Sequence, residues 1–315
     1  MPAAGGSGGG SGGGASGGSG GGGESEPALC VHGLAGSSRN WTDLMDLLRP
    51  ELDCAALDLP GFGDSPPRPD GRYSIGALAQ TTATVIERQG HGPVHLIGNS
   101  LGGAVCVKLA ARRPDLIKSL TLVSPALPDS RPRLDLVRFP VMSMPRVGGW
   151  ALSKFKVLPA EQRVRNVMTT CYYDASVVHP ERFAAEVAEL SRRDTVSHAD
   201  EALIGCVRTL TAEALRTGPM SPWRDAVRCT MPTLVIYGSH DRLVSPRLAG
   251  KAARTFPDSR VVVLPRTGHI AQMERPAAVA AEIRILLGGI PVNSGRLPVR
   301  SGTEIGDLRV AAPAG

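Results

Sequence analysis

Long apolar runs, paired cysteines and aromatic side chains are all scarce in this 315-residue chain. No apolar stretch reaches the roughly 18 residues that a membrane-spanning helix needs, so stable membrane insertion is not expected. The N-terminus lacks a basic segment followed by an apolar one, which removes the visible mark of a secretory signal. Six cysteines are scattered at Cys30, Cys54, Cys106, Cys171, Cys206 and Cys229, with no CxxC and no Cys/His pair at zinc spacing. They read as reduced thiols of a cytoplasmic protein, and no metal is expected. Aromatics make up only 4%, too few to build stacking platforms for single-stranded nucleic acid. Net charge is +6, from 35 basic and 29 acidic residues without a long block of either sign, so no nucleic-acid partner is called for. Lysine is also rare: arginine outnumbers it 30 to 5.

The first 23 residues hold 14 Gly and 4 Ser. Such a stretch cannot bury enough apolar surface to offset its ordering entropy, so residues 1–26 are expected to form a flexible tail. Beyond it, short apolar runs alternate with helical patterns. Strands are predicted at Ala28–Val31, Cys54–Leu59, Val94–Ile97, Leu120–Val123, Thr233–Tyr237 and Arg260–Leu264. Helices fall between them, among them one capped by Ser74 and one opening at Leu101. Residues 126–230 interrupt the alternation with a Pro- and Arg-rich stretch followed by helical patterns near 160–172, 181–193 and 199–216. Strand–helix alternation implies a mostly parallel, doubly wound α/β sheet of about six strands. The core is then 27–125 plus 231–288. The helical insertion at 126–230 caps the carboxyl ends of the strands, and 289–315 is a second tail.

The sharpest motif is Gly98-Asn99-Ser100-Leu101-Gly102, a G-x-S-x-G match. It follows a strand and opens a helix with no intervening loop, the setting that forces a serine into a tight turn above the sheet edge. Gly98 and Gly102 stand where Cβ atoms would collide in such a turn. A Gly-rich packing turn is the bland alternative. A phosphate-binding loop fails, because no Lys-Ser or Lys-Thr pair ends the motif.

A serine nucleophile needs a base, and the base needs an orienting carboxylate. His269 follows the last strand and Asp241 follows the fifth, both at carboxyl ends facing the rim where Ser100 would sit. His95 lies inside a strand, and His91, His179 and His198 fall on expected surfaces. His240 adjoins the site as a spacer, and Asp58 and Asp64 are competing acids near the second strand. Oxyanion donors are expected from the backbone N–H of Leu101 and of Leu34, with Gly33 allowing close approach and His32 supporting the loop.

Five ordered markers now stand together: His32-Gly33 with Trp41 downstream, Asp58-Leu59-Pro60-Gly61-Phe62-Gly63-Asp64-Ser65, Gly98-Asn99-Ser100-Leu101-Gly102-Gly103, Gly238-Ser239-His240-Asp241, and Gly268-His269. Over residues 27–288 the chain resembles the α/β-hydrolase fold superfamily in its serine-nucleophile branch. That resemblance implies a Ser–His–Asp triad working through an acyl-enzyme without a cofactor. Members usually begin with an antiparallel hairpin. Here the Gly/Ser tract occupies its place, so the sheet is expected to lack that hairpin. Serine at the nucleophile position argues against the branches that use Asp there, haloalkane dehalogenases and epoxide hydrolases. The expected substrate is a small molecule carrying an acyl group, most simply a carboxylic ester. Meta-cleavage C–C hydrolysis and a non-catalytic ligand-binding role are the alternatives, and the sequence leaves the oligomeric state open.

The front of the insertion, residues 131–156, has six basic side chains and one acid. Its apolar residues read either as packing of the cap on the sheet or as a substrate entrance. Phe139, Met142 and Trp150 are the candidates for the entrance, with Asn99 as a substrate contact beside the serine.

Overall fold

The computed structural model describes residues 25–129 and 138–288. The expected tails therefore lie outside the described residues, apart from residues 25 and 26. Six strands form one sheet: β1 (Glu26–Val31), β2 (Leu52–Leu57), β3 (Val94–Asn99), β4 (Ile117–Val123), β5 (Thr233–Gly238) and β6 (Ser259–Leu264). Their order is β2-β1-β3-β4-β5-β6, and every neighbouring pair is parallel.

Period-two burial explains why helices cover both faces. Leu29, Val31, Leu96, Leu120, Leu122, Val235 and Tyr237 point to one core. There they meet α2 (Ile75–Gln89), α3 (Leu101–Arg112) and α10 (Leu248–Thr255). Ala28, Cys30, Ile97, Val123, Leu234 and Ile236 point to the other core, against α1 (Thr42–Leu48) and α12 (Pro276–Gly288). Runs buried on both faces are the signature of a parallel sheet sandwiched by helices. Ser74 caps α2 as its sequence position suggests, accepting from Ala77 N at 3.2 Å.

Between β4 and β5 the described residues contain helices and no strand: α4 (Arg138–Ser143), α5 (Val147–Lys156), α6 (Ala160–Cys171), α7 (Pro180–Asp194), α8 (Ala199–Ala214) and α9 (Trp223–Ala226). α4 and α5 lie where the sequence shows only a Pro- and Arg-rich stretch. Pro140, Pro145 and the Gly148-Gly149 pair hide their periodicity, although Pro140 sits in a first turn, where proline is tolerated. β2 ends two residues earlier than its apolar run, because Leu59 N leaves the ladder and donates to His32 Nε2 at 2.9 Å. All six cysteines are free thiols. Among the described residues no helix is long and apolar enough to cross a membrane.

The order reverses between β1 and β3. The chain steps outward from β1 to β2 and then returns to the other side of β1 with β3. Such a switch opens a crevice at the carboxyl ends of the two strands. The His32-Gly33 loop and Ser100 both emerge there.

Candidate active site

Ser100 joins β3 to α3 with φ 52° and ψ −114°, a conformation that costs a non-glycine residue on the order of 1–3 kcal/mol. The turn is pinned from both sides. Ser100 N donates to Val123 O at 3.0 Å, while Ser100 O accepts from Ala104 N and Ala126 N, each at 3.0 Å. A Cβ on Gly98 would stand 2.7 Å from Gly102 O, and one on Gly102 would stand 2.2 Å from Val31 O and 2.5 Å from His32 O. Gly102 thus lets α3 sit directly on the end of β1. Gly102→Ala should destabilise the fold by about 1–3 kcal/mol through overpacking, read as a lower urea midpoint; an unchanged midpoint would contradict this close approach.

The loop after β1 closes on the same turn. A Cβ on Gly33 would meet Asn99 Oδ1 at 2.9 Å and Ser100 Cβ at 3.2 Å. His32 holds the loop from below with its ring fully buried. Its Nδ1 bonds Gly33 O at 2.7 Å, and its Nε2 accepts from Leu59 N. Accepting at Nε2 leaves the ring proton on Nδ1, facing the Gly33 carbonyl, and burial holds this imidazole below its ordinary value, against the Gly33 carbonyl and the Asp58 charge. Leu34 is half-buried against the core, and Leu101 is buried at the first turn of α3, where helix N–H groups have no intrahelical partner.

Asp241 and His269 sit on neighbouring loops after β5 and β6. His269 Nδ1 and Asp241 Oδ2 are 2.8 Å apart, with both side chains buried. The other carboxylate oxygen accepts from Leu243 N at 2.8 Å and Val244 N at 2.9 Å. Burial works to raise the Asp241 carboxyl. The facing His269, the Val244 N–H and the Ser124 hydroxyl outweigh burial and hold the group below its ordinary value. With Nδ1 committed to Asp241, Nε2 is the ring nitrogen left for proton exchange.

Asn99 links the elbow to the histidine loop. Its amide donates to Val123 O at 3.0 Å and to His269 O at 3.2 Å. Asn99 is expected to meet substrate from its place beside the serine; its side chain is buried, with both amide protons spent on the carbonyls of Val123, at the end of β4, and of His269. Of the entrance candidates, Met142 is half-buried and Trp150 is 63% exposed. Among the described residues no hydrogen bond or ring contact joins the Trp150 side chain to Ser100, Asp241 or His269. The side chain of Phe139 lies outside the described residues.

The competing groups have other partners. Asp58 accepts from Ser38 N at 2.6 Å and Asp64 N at 3.0 Å. Buried His95 bonds Ser119 Oγ and Glu26. The His240 ring lies 4.5 Å from that of Tyr173.

Helices between β4 and β5 reach the carboxyl ends of the strands. From α7, Arg193 Nη1 donates to Ala35 O at 2.9 Å and Arg192 Nη2 to Gly63 O at 2.8 Å. At the end of α6, Cys171 O accepts from His269 N at 2.6 Å. One further residue escaped the sequence reading. Glu274, on α11 (Ala271–Glu274), accepts from Gly268 N at 2.6 Å through Oε2. Its Oε1 accepts from Tyr173 N at 2.9 Å and Asp174 N at 3.2 Å. It clips the histidine loop to the α6–α7 junction. Two of its three partners are backbone groups a hundred residues away, so no local pattern announces the clip.

A sequence profile described as the alpha/beta hydrolase fold matches residues 27–276. The chain belongs to this family. A pimeloyl-[acyl-carrier protein] methyl ester esterase of Neisseria meningitidis is 27% identical, covering 82% of this chain and 93% of its own. The acetyltransferase component of the acetoin-cleaving system of Cupriavidus necator is 26% identical over 85% of this chain. The chain spans 65% of that relative and 63% of its Pseudomonas putida counterpart. Among solved structures, 2-hydroxy-6-oxo-6-phenylhexa-2,4-dienoate hydrolase of Rhodococcus sp. strain RHA1 superposes with a TM-score of 0.69 at 20% identity, covering 84% of this chain and 91% of that one.

Proposed function

We propose that this alpha/beta hydrolase cleaves carboxylic esters of small acyl substrates, with Ser100 as nucleophile, His269 as base and Asp241 as the orienting acid. Ser100 Oγ attacks the carbonyl carbon as its proton passes to His269 Nε2. The backbone N–H groups of Leu34 and Leu101 hold the oxyanion. The tetrahedral intermediate collapses, and the departing alcohol takes the proton from His269. Water, deprotonated by the same ring, then releases the acid from Ser100. The single observation carrying this reading is the 2.8 Å His269–Asp241 bond in a loop tied by Asn99 to the strained serine turn. Helices α4–α9 act as the cap. Six free thiols support a reducing compartment such as the cytoplasm.

A panel of p-nitrophenyl esters, lactones and a dienoic ring-fission diketone tests the substrate class. Turnover of esters above the diketone is expected. Turnover of the diketone alone would move the same three residues to C–C hydrolysis, and turnover of none would leave only ligand binding.

Glu274 serves as a positioning residue in this scheme. Glu274→Gln keeps one acceptor oxygen but sets an amide N–H against a backbone N–H. A shift of the histidine loop should lower kcat by roughly 10–10²-fold and leave KM for a small ester nearly unchanged. Steady-state kinetics check this; equal kcat would rule the role out.

A further inference from the structure

The α5 helix is an outer element of the insertion, packed against α4, α6 and α8. Its inner face is Gly148 and Leu152. Its outer face carries Trp150, Lys154 and the C-cap residue Val157, spaced four and three residues apart and therefore in one stripe, and exposed Arg146 stands at its N-cap. Trp150 is 63% and Val157 79% exposed, with Val141 and Met144 at 42% and 52% beside them. Arg208 of α8 is brought to the same place by its Nε bond to Ser143 O at 3.1 Å. The side chains of Arg146, Lys154 and Arg208 have no carboxylate partner among the described residues. Residues 136–160 contain no Asp or Glu at all.

Among the described residues the acids nearest this face, Asp194 and Asp200, are taken up by Lys156 at the far end of α5; projecting apolar groups edged by cations that lack a carboxylate partner limit what can cover it. A second copy presenting the same surface across a twofold axis would set cations against cations. A convex helix also offers no groove for a peptide. An anionic lipid surface answers both features. Tryptophan settles at the headgroup level with Met and Val beneath it, and Arg and Lys meet phosphate. We propose that the α4–α5 face docks on anionic membrane surfaces.

Vesicle sedimentation tests this, using the full chain as Ser100→Ala so that no lipid is turned over. Probes are phosphatidylcholine vesicles with and without phosphatidylglycerol. Binding is expected only with phosphatidylglycerol and should weaken as salt rises. At about 1 kcal/mol per basic residue near the surface, Arg146→Glu with Lys154→Glu should lower partitioning by at least about 10-fold. Trp41 and Trp223 are buried, so a blue shift of tryptophan emission on binding reports Trp150 and should vanish in Trp150→Phe. No binding, equal binding to neutral vesicles, or full binding by the charge-reversed variant would each overturn the proposal. So would a dimer that is lost in Trp150→Ala while vesicle binding is absent.

Discussion

Ser100→Ala should lower kcat on a p-nitrophenyl ester by roughly 10⁴–10⁶-fold while the protein stays folded. The hydroxyl is the only atom removed. Alanine occupies the same positive-φ turn, whose backbone bonds to Val123, Ala104 and Ala126 remain. Gly33, Gly98 and Gly102 are untouched, so the loop after β1 keeps its approach to the turn. What disappears is the covalent step, and the residual rate over water should be that of substrate binding and the oxyanion donors alone. Stopped-flow or steady-state assays on matched preparations check the size of the loss, and circular dichroism with thermal melting checks the fold. A variant within 10-fold of the parent would remove Ser100 from the chemistry.

Asp241→Asn should cost about 10⁴-fold in kcat for a different reason. Asn Oδ1 can still accept from Leu243 N and Val244 N, but its NH₂ would face His269 Nδ1. The imidazole must then carry its proton on Nε2, where it cannot take one from Ser100. The same substitution has a signature in stability. The folded-state pKa of Asp241 is depressed, so its anion stabilises the fold above the ordinary carboxylate value, near 3.9. That contribution is withdrawn as pH falls below this value and through the depressed one. Melting temperature measured from pH 6 down to pH 3 should therefore fall less steeply in Asp241→Asn than in the parent. Parallel acid limbs would show that the carboxylate is not held charged by its surroundings.

Much of the framework was legible because its causes are local. All six strands are short apolar runs met within two residues by Gly, Pro or Asp, and Ser74 announces α2. The order Ser100, Asp241, His269 at three carboxyl ends brings distant residues to one rim without any knowledge of side-chain contacts. The parts that escaped depend on direction and distance. Asn99 looks like a substrate contact from its place beside Ser100. Which carbonyls its amide finds depends on the approach of β4 and the His269 loop. Trp150 looks like an entrance residue in an apolar stretch, yet α5 turns Leu152 inward and Trp150 outward, and the Gly148-Gly149 pair conceals that periodicity. Glu274 joins two segments a hundred residues apart. His32 is the converse case: a loop-supporting ring, anticipated from its position at the end of β1, is held by Gly33 O and Leu59 N.

Covalent trapping with a fluorophosphonate, followed by peptide mass mapping, reads most directly whether Ser100 is a nucleophile activated by His269. A single phosphonyl adduct on Ser100 is expected, formed far more slowly in His269→Ala and absent in Ser100→Ala. Failure of Ser100 to label, or labelling of His269→Ala at the parental rate, would contradict a serine activated by this imidazole.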